Sequence, residues 1–180
     1  MSPSAEPSNN AGRLRLRPYA FEDEKPAREA NEIMRSEGSL LLLDWDESME
    51  WRQWLKMVSE HQRGLSLSVG LVPATQLVAD VGGEIVGSTR IRFRLNKELE
   101  RSGGHIGYGV LPAYRRRGYA TEILRQALVI AHSQGVARVL VTCLDDNIGS
   151  SMVIENCGGV LEDVIEIDEG SRLLRRYWFI

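Results

Sequence analysis

Only two of the 180 residues are cysteine, Cys143 and Cys157, and only three are histidine. Neither cysteine belongs to a C-x-x-C pair or stands near a suitably spaced histidine, which excludes the usual structural zinc sites. The two thiols are expected to be small buried apolar groups rather than a disulfide. Long apolar runs are also missing. Leu40 to Leu43 is a short burst ended by Asp44, far below the ~20 residues that span a bilayer. Charge of one sign is lacking as well. Twenty-two Lys and Arg stand against 25 Asp and Glu, a net charge of -3, so bulk electrostatic capture of nucleic acid is not expected. The opening MSPSAEPSNNAG has neither the basic nor the apolar region of a signal peptide and is expected to be a disordered lead-in over residues 1–12. These absences predict a cytoplasmic protein with no membrane partner, no nucleic-acid partner and no bound metal.

What is present suits one globular domain over residues 13–180, with 43% hydrophobic and 26% charged residues. Arg13 to Arg17 alternates charge with Leu14 and Leu16, a strand closed by Pro18. Helices are predicted from Phe21 to Ser36 and from Ser48 to Gln62, stopped by Gly38 and Gly64. Thr75 to Val81, the Gly82-Gly83 turn and Glu84 to Leu95 read as a hairpin. In its second strand Arg90, Arg92 and Arg94 alternate with apolar residues, and that charged side is expected to face solvent, with a ligand cleft as the alternative.

His105 to Leu111 is a further strand, weakened by Gly107 and Gly109 in a way that suits close approach to its backbone. After Pro112, a helical stripe of Ala120, Ile123, Leu124, Ala127, Leu128 and Ala131 predicts a helix from Arg116 to Ser133. Arg138 to Cys143 reads as an interior parallel strand reached by a crossover. A short helix capped by Asp146 or Asn147 runs to Asn156. Val160 to Ile167 and Arg172 to Ile180 then form an antiparallel pair turning at residues 168–170.

The chemistry concentrates at GHIGYGVLPAYRRRGYATEILRQAL, residues 104–128. A strand, a proline, a basic loop, a glycine and a helix in this order make an anion site. The free N–H groups and positive dipole end of a helix favour phosphate, and Gly118 lets a ligand approach without a Cβ. Arg115, Arg116 and Arg117 add oriented donors. A solvated arginine run is the plainer alternative, while the Walker pattern is absent.

Arg115-x-x-Gly118-x-Ala120, after Val110-Leu111-Pro112, resembles the Q/R-x-x-G-x-G/A pyrophosphate loop of the GNAT superfamily of acetyl-CoA-dependent N-acyltransferases. Asn147, Ser150 and Glu155-Asn156-Cys157-Gly158 resemble the family's N-x-x-S/A…E-x-x-G segment. The resemblance implies an α/β (α+β) fold: a mixed, mostly antiparallel sheet of six to seven strands flanked by helices, with a splayed central strand pair. It implies an acyltransferase with acetyl-CoA as cosubstrate, its pyrophosphate held by Arg115, Arg116, Arg117, Gly118, Tyr119, Ala120 and Thr121. The pantetheine arm would lie beside Val110 and Leu111, with further contacts at Asn147 and Ser150.

The family's usual leaving-group tyrosine corresponds here to Ile154, which cannot donate a proton. His105 and Tyr108 are the candidate catalytic residues; alternation sends them to opposite faces, and His105 has the better intrinsic pKa for a base. The acceptor would be a primary amine of a small molecule or peptide, met by the loop from Gly38 to Trp51. Asp44, Trp45, Asp46 and Glu47 suit a cation there, whereas Arg90, Arg92 and Arg94 argue the reverse if they line the cleft. The alternative function is a non-catalytic acyl-CoA sensor, which the absent tyrosine favours. The strand ending in Tyr177-Trp178-Phe179-Ile180 is expected either to pack internally or to form a homodimer edge.

Overall fold

The computed structural model describes residues 13–167 and 172–180. The lead-in over residues 1–12 and the turn at 168–170 lie outside the described residues. Four strands, β1 (Arg15–Pro18), β2 (Ala74–Val81), β3 (Glu84–Arg92) and β4 (Ile106–Val110), pair in sequence order and antiparallel. Between β2 and β3, Asp80 Oδ1 accepts the amide of Gly83 at 3.2 Å, closing the expected turn. β2 is buried along nearly its whole length, because helices cover both faces of this sheet. On one side lie α1 (Glu24–Ser36) and α2 (Trp51–Gln62), on the other α4 (Tyr119–Ser133). The periodic stripe of α4 buries Ile123, Leu124, Ala127, Leu128 and Ala131, and the α2 face buries Trp51 and Trp54 against Tyr19, Val78 and Leu111.

A second sheet has the order β5 (Val139–Leu144), β7 (Arg172–Phe179), β6 (Val160–Ile167). The expected interior parallel strand is therefore corrected: the ladder partner of β5 is β7, antiparallel, and β5 edges its sheet. The C-terminal strand is corrected too. β7 is the middle strand, and Tyr177 and Phe179 are buried in the core, so this strand packs internally and offers no dimer edge. Near the hairpin the strand ends at Arg92 rather than Leu95, because Asn96 caps a short helix, α3 (Lys97–Arg101), by accepting the amide of Leu99 at 2.9 Å.

The two sheets touch at one corner. The amide of His105 donates to the carbonyl of Leu140 at 2.7 Å, and the amide of Leu140 donates back to His105 Nδ1 at 2.9 Å. Gly104 makes this approach feasible: its φ is +62°, and a Cβ there would lie 2.5 Å from the Leu140 carbonyl oxygen. Beyond that corner β4 and β5 share no ladder. The fold is the expected mixed α/β arrangement, with seven strands among the described residues, flanked by helices and parted at a central pair.

Candidate active site

The parting exposes the backbone of β4. The amide of Leu111 donates to the carbonyl of Val86, and residues 107 and 109 face Arg90 and Ser88 across the β3 ladder. Antiparallel alternation then turns the N–H and C=O groups of Tyr108 and Val110 to the opposite edge, toward the gap. The Val110 carbonyl is taken by Arg115 Nε at 3.0 Å. That leaves the Tyr108 and Val110 amides as donors for an extended ligand lying along the strand.

Below the gap the chain turns from β4 into α4. Arg116 and Gly118 both adopt positive φ, +62° and +79°, and for that reason α4 starts at Tyr119, three residues later than expected. These two kinks lift the loop so that the leading amides of α4 stand unobstructed. A Cβ at Gly118 would meet nothing within 4 Å, so the glycine serves its φ and leaves an open seat over the helix end. Arg116 and Arg117 are exposed beside it, whereas the Arg115 guanidinium is ion-paired to Glu37 at the end of α1. Leu111 is buried in the α1/α2 core, while Tyr119, Ala120 and Thr121 are half-buried on the first turn of α4.

The far wall of the gap is α5 (Ile148–Asn156), capped by Asn147, whose Oδ1 accepts the Ser150 amide at 3.0 Å. The hydroxyls of Ser150 and Tyr108 are 2.9 Å apart and bridge the two walls. Burial pushes the Tyr108 phenol up to about 12, so it is a protonated donor at any working pH. Ile154, one turn further along α5, is completely buried in the core with Tyr177 and Phe179. It does not reach the gap. Cys143 on β5 is buried, and desolvation raises its thiol pKa, the reverse of what a nucleophile needs.

His105 is 7% exposed. Burial first, and the Arg92 charge second, lower its pKa to about 4. The ring is therefore neutral, and its unprotonated nitrogen, Nδ1, is occupied by the Leu140 amide.

On the α1/α2 face a cavity of about 360 Å³ opens over Gly107 and Gly109. Its roof is the loop after α1, held by polar side chains that the sequence did not single out. Asn31 Oδ1 accepts the amides of Leu41 and Leu42, the Gln76 amide brackets both backbone groups of Leu43, and Ser88 Oγ donates to the Leu41 carbonyl. The available signal was uncharged polar side chains, Gln76 and Ser88, at strand positions that are buried. The acids of this loop are spent internally. Asp46 accepts from Ser48, Glu47 pairs with Arg35, and Asp44 pairs with Arg90. The Trp45 ring is covered by Arg28 at 4.6 Å and packs edge-on to Trp51 and Trp54. Arg90 does not face solvent as expected: it is 8% exposed and lines the cavity, while Arg92 is half-buried and Arg94 is exposed.

The sequence matches the family described as Acetyltransferase (GNAT) domain over residues 13–160. The chain belongs to this family, and it is an acyltransferase. Three solved structures carry the same fold. Mycobacterium smegmatis RimJ in complex with CoA-disulfide is 19% identical with a TM-score of 0.69, covering 94% of this chain and 83% of that one. A GNAT-family acetyltransferase from Bacillus anthracis is 18% identical, TM-score 0.61, covering 94% and 96%. A spermidine N-acetyltransferase chimera of Vibrio cholerae SpeG and hSSAT is 13% identical, TM-score 0.61, covering 93% and 95%. No curated protein matches the sequence.

Proposed function

We propose that the protein transfers the acetyl group of acetyl-CoA to a primary amine of a small molecule or peptide by direct attack. The open β4 edge, leading straight into the kinked loop and bare helix end at Gly118, is the observation that carries the reading. It offers strand donors for an extended amide-bearing arm, followed by helix amides for a pyrophosphate, in the order in which those groups occur in CoA. The amides of Gly118, Tyr119, Ala120 and Thr121 take the pyrophosphate, with Arg116 and Arg117 supplying charge. Arg115 acts less on the anion than on the loop, which it ties to Val110 and Glu37. Val110 and Leu111 carry the arm past the strand end, and Asn147 and Ser150 line the opposite wall.

Bound acetyl-CoA supplies an activated thioester. The chain's own contribution is orientation and charge placement. The Tyr108 and Val110 amides give fixed donors beside the thioester carbonyl. The Tyr108 hydroxyl, protonated and held by Ser150, is placed to give a proton to the departing thiolate. It takes the part that Ile154 does not. His105 is assigned no proton transfer. Its neutral ring anchors the corner from which β4 and β5 part, so it is a positioning residue. The amine attacks in its neutral form from the cavity under the Gly38–Leu43 loop, and its proton passes to water.

Thermal unfolding with acetyl-CoA, desulfo-CoA and ATP tests the cofactor assignment. A ligand at about 100 times its dissociation constant stabilises the fold by about 2.7 kcal/mol. Stabilisation by the CoA species and not by ATP, with thiol release on adding amines, is the expected result. Stabilisation with no thiol released by any amine makes the protein an acyl-CoA sensor instead. No stabilisation by any CoA species overturns the reading.

A further inference from the structure

We propose that Arg90 is a carboxylate seat, and that the acceptor is a small amine bearing a carboxylate a few bonds from its nitrogen, as in an α-amino acid. The proposal rests on the acetyltransferase reading above and names its substrate class.

Gln76 spends both ends of its amide on Leu43, Ser88 donates to the Leu41 carbonyl, and Thr89 donates to the Gly107 carbonyl. Leucines supply much of the remaining surface. Among the described lining residues Arg90 alone is charged. A guanidinium has five N–H donors. One Nη1 donor goes to Asp44 Oδ2 at 2.9 Å, and Nε is buried with no hydrogen-bond partner among the described residues. Nε is enclosed, so a ligand in the cavity meets the Nη edge, where an oxygen anion offsets part of the cost of burying a half-paired guanidinium. Among the described residues Arg90 makes one ion pair, to Asp44.

Position agrees with capacity. Arg90 stands opposite Gly107 in the β3–β4 ladder, and the space over Gly107 is open, with nothing within 4 Å of an added Cβ. A carboxylate on Arg90 therefore lies over Gly107. Met34 packs over Gly109, so an amine a few bonds away falls short of it, within the two-residue step of about 7 Å from Gly107 along β4, beside Tyr108. Asp44 holds the guanidinium in place, but its side chain is 33% exposed against 9% for that of Arg90. Water screens the acid more than the base, so the cavity keeps a net attraction for an anion. A polycation meets the buried guanidinium unfavourably, since the loop acids are already paired.

The test compares kcat/KM in the wild-type protein for matched amines: leucine against 3-methylbutan-1-amine, methionine against 3-(methylthio)propan-1-amine, then leucinamide and spermidine. The other amino acids are screened alongside. Acetyl-CoA stabilisation is measured on the same samples, and stabilisation of the CoA-bound protein by each amine gives a second readout. We expect the carboxylate member of at least one pair to be favoured by about tenfold or more, the loss typical of an unmatched charged hydrogen bond. Arg90→Met should bring that ratio toward one, and Arg90→Lys, which keeps the charge and the packing stem, should retain part of it. Equal or better use of the decarboxylated amines overturns the proposal while leaving the acetyltransferase intact. So do equal use of leucinamide and leucine, an unchanged ratio in the Arg90 variants, or no binding and no turnover of any carboxylate-bearing amine. Absence of acetyl-CoA stabilisation together with absence of thiol release from every amine overturns the acetyltransferase reading itself.

Discussion

The amide of Leu140 donates to Nδ1 of His105 at 2.9 Å, fixing the ring at the corner where β4 and β5 part. The lone pair that a base would need is already engaged there. In the unfolded chain the imidazole titrates near about 6.5, and in the fold near 4. The folded value is depressed, so the unfolded state binds more protons between these limits. The contribution to stability is present above about pH 6.5 and is lost as pH falls toward 4, on the order of 3 kcal/mol in all.

His105→Gln should therefore flatten the pH dependence of unfolding free energy between pH 4 and 6.5 by about one proton. The pH profile of kcat in the neutral range should keep its shape. A neutral-range inflection present in wild type and missing in the variant would return His105 to the chemistry.

Gly118 is held at φ +79° with open space over its α-carbon. Gly118→Glu adds a strained left-handed residue, costing about 1–2 kcal/mol, and places a carboxylate where the pyrophosphate is proposed to sit. We expect a folded protein whose acetyl-CoA affinity falls by about a hundredfold or more, read by calorimetry. Retained affinity would move the pyrophosphate elsewhere.

Much of this geometry was legible in the sequence because local rules and tertiary context agreed. The α4 stripe and the Gly82-Gly83 turn each have one physical solution, and the structure uses it; of the two capping residues that the sequence offered, Asp146 and Asn147, it uses Asn147. The failures share a cause. That β5 pairs antiparallel with β7 rests on a ladder between Val139–Leu144 and Leu174–Phe179, far apart in the chain, and no local pattern encodes it. Arg90 was misplaced because period-two alternation tells which face a residue is on and not what covers that face. The loop after α1 covers it, pinned by Asn31 and Gln76, whose partners are backbone groups far along the chain.

Arg17 joins β1 to Asp23 at 2.6 Å and to Asp80 at 2.9 Å. Burial raises the Asp23 pKa, but the Arg17 hydrogen bond and the Ala20 amide outweigh it, and the net value lies below the ordinary one. A depressed carboxylate stabilises the fold above its unfolded pKa of about 3.9 and loses that contribution as pH falls through its folded value. Asp23→Asn should cost about 3 kcal/mol near neutral pH by leaving a partly buried guanidinium short of a partner. Its stability should depend less on pH below about 4 than that of wild type. An acid transition identical in the two proteins would show that Asp23 carries none of it.

Tyr108 and Ile154 give opposite results if the leaving-group acid sits on β4. Tyr108→Phe keeps the ring and removes the proton, so kcat should fall by about a hundredfold, within the usual range for a positioned acid. The acetyl-CoA affinity should hold. Thioesters with a more acidic leaving thiol should lose less, because they need less protonation. Ile154→Tyr restores the residue type that the family resemblance expects at this position, yet the Ile154 side chain is enclosed by Tyr177, Phe179 and the backbone at Gly159. A larger ring there overpacks the core and should cost about 1–3 kcal/mol without raising kcat. If Ile154→Tyr instead rescues the Tyr108→Phe rate, the α5 wall can present an acid after all, and Tyr108 is then a strut for Ser150.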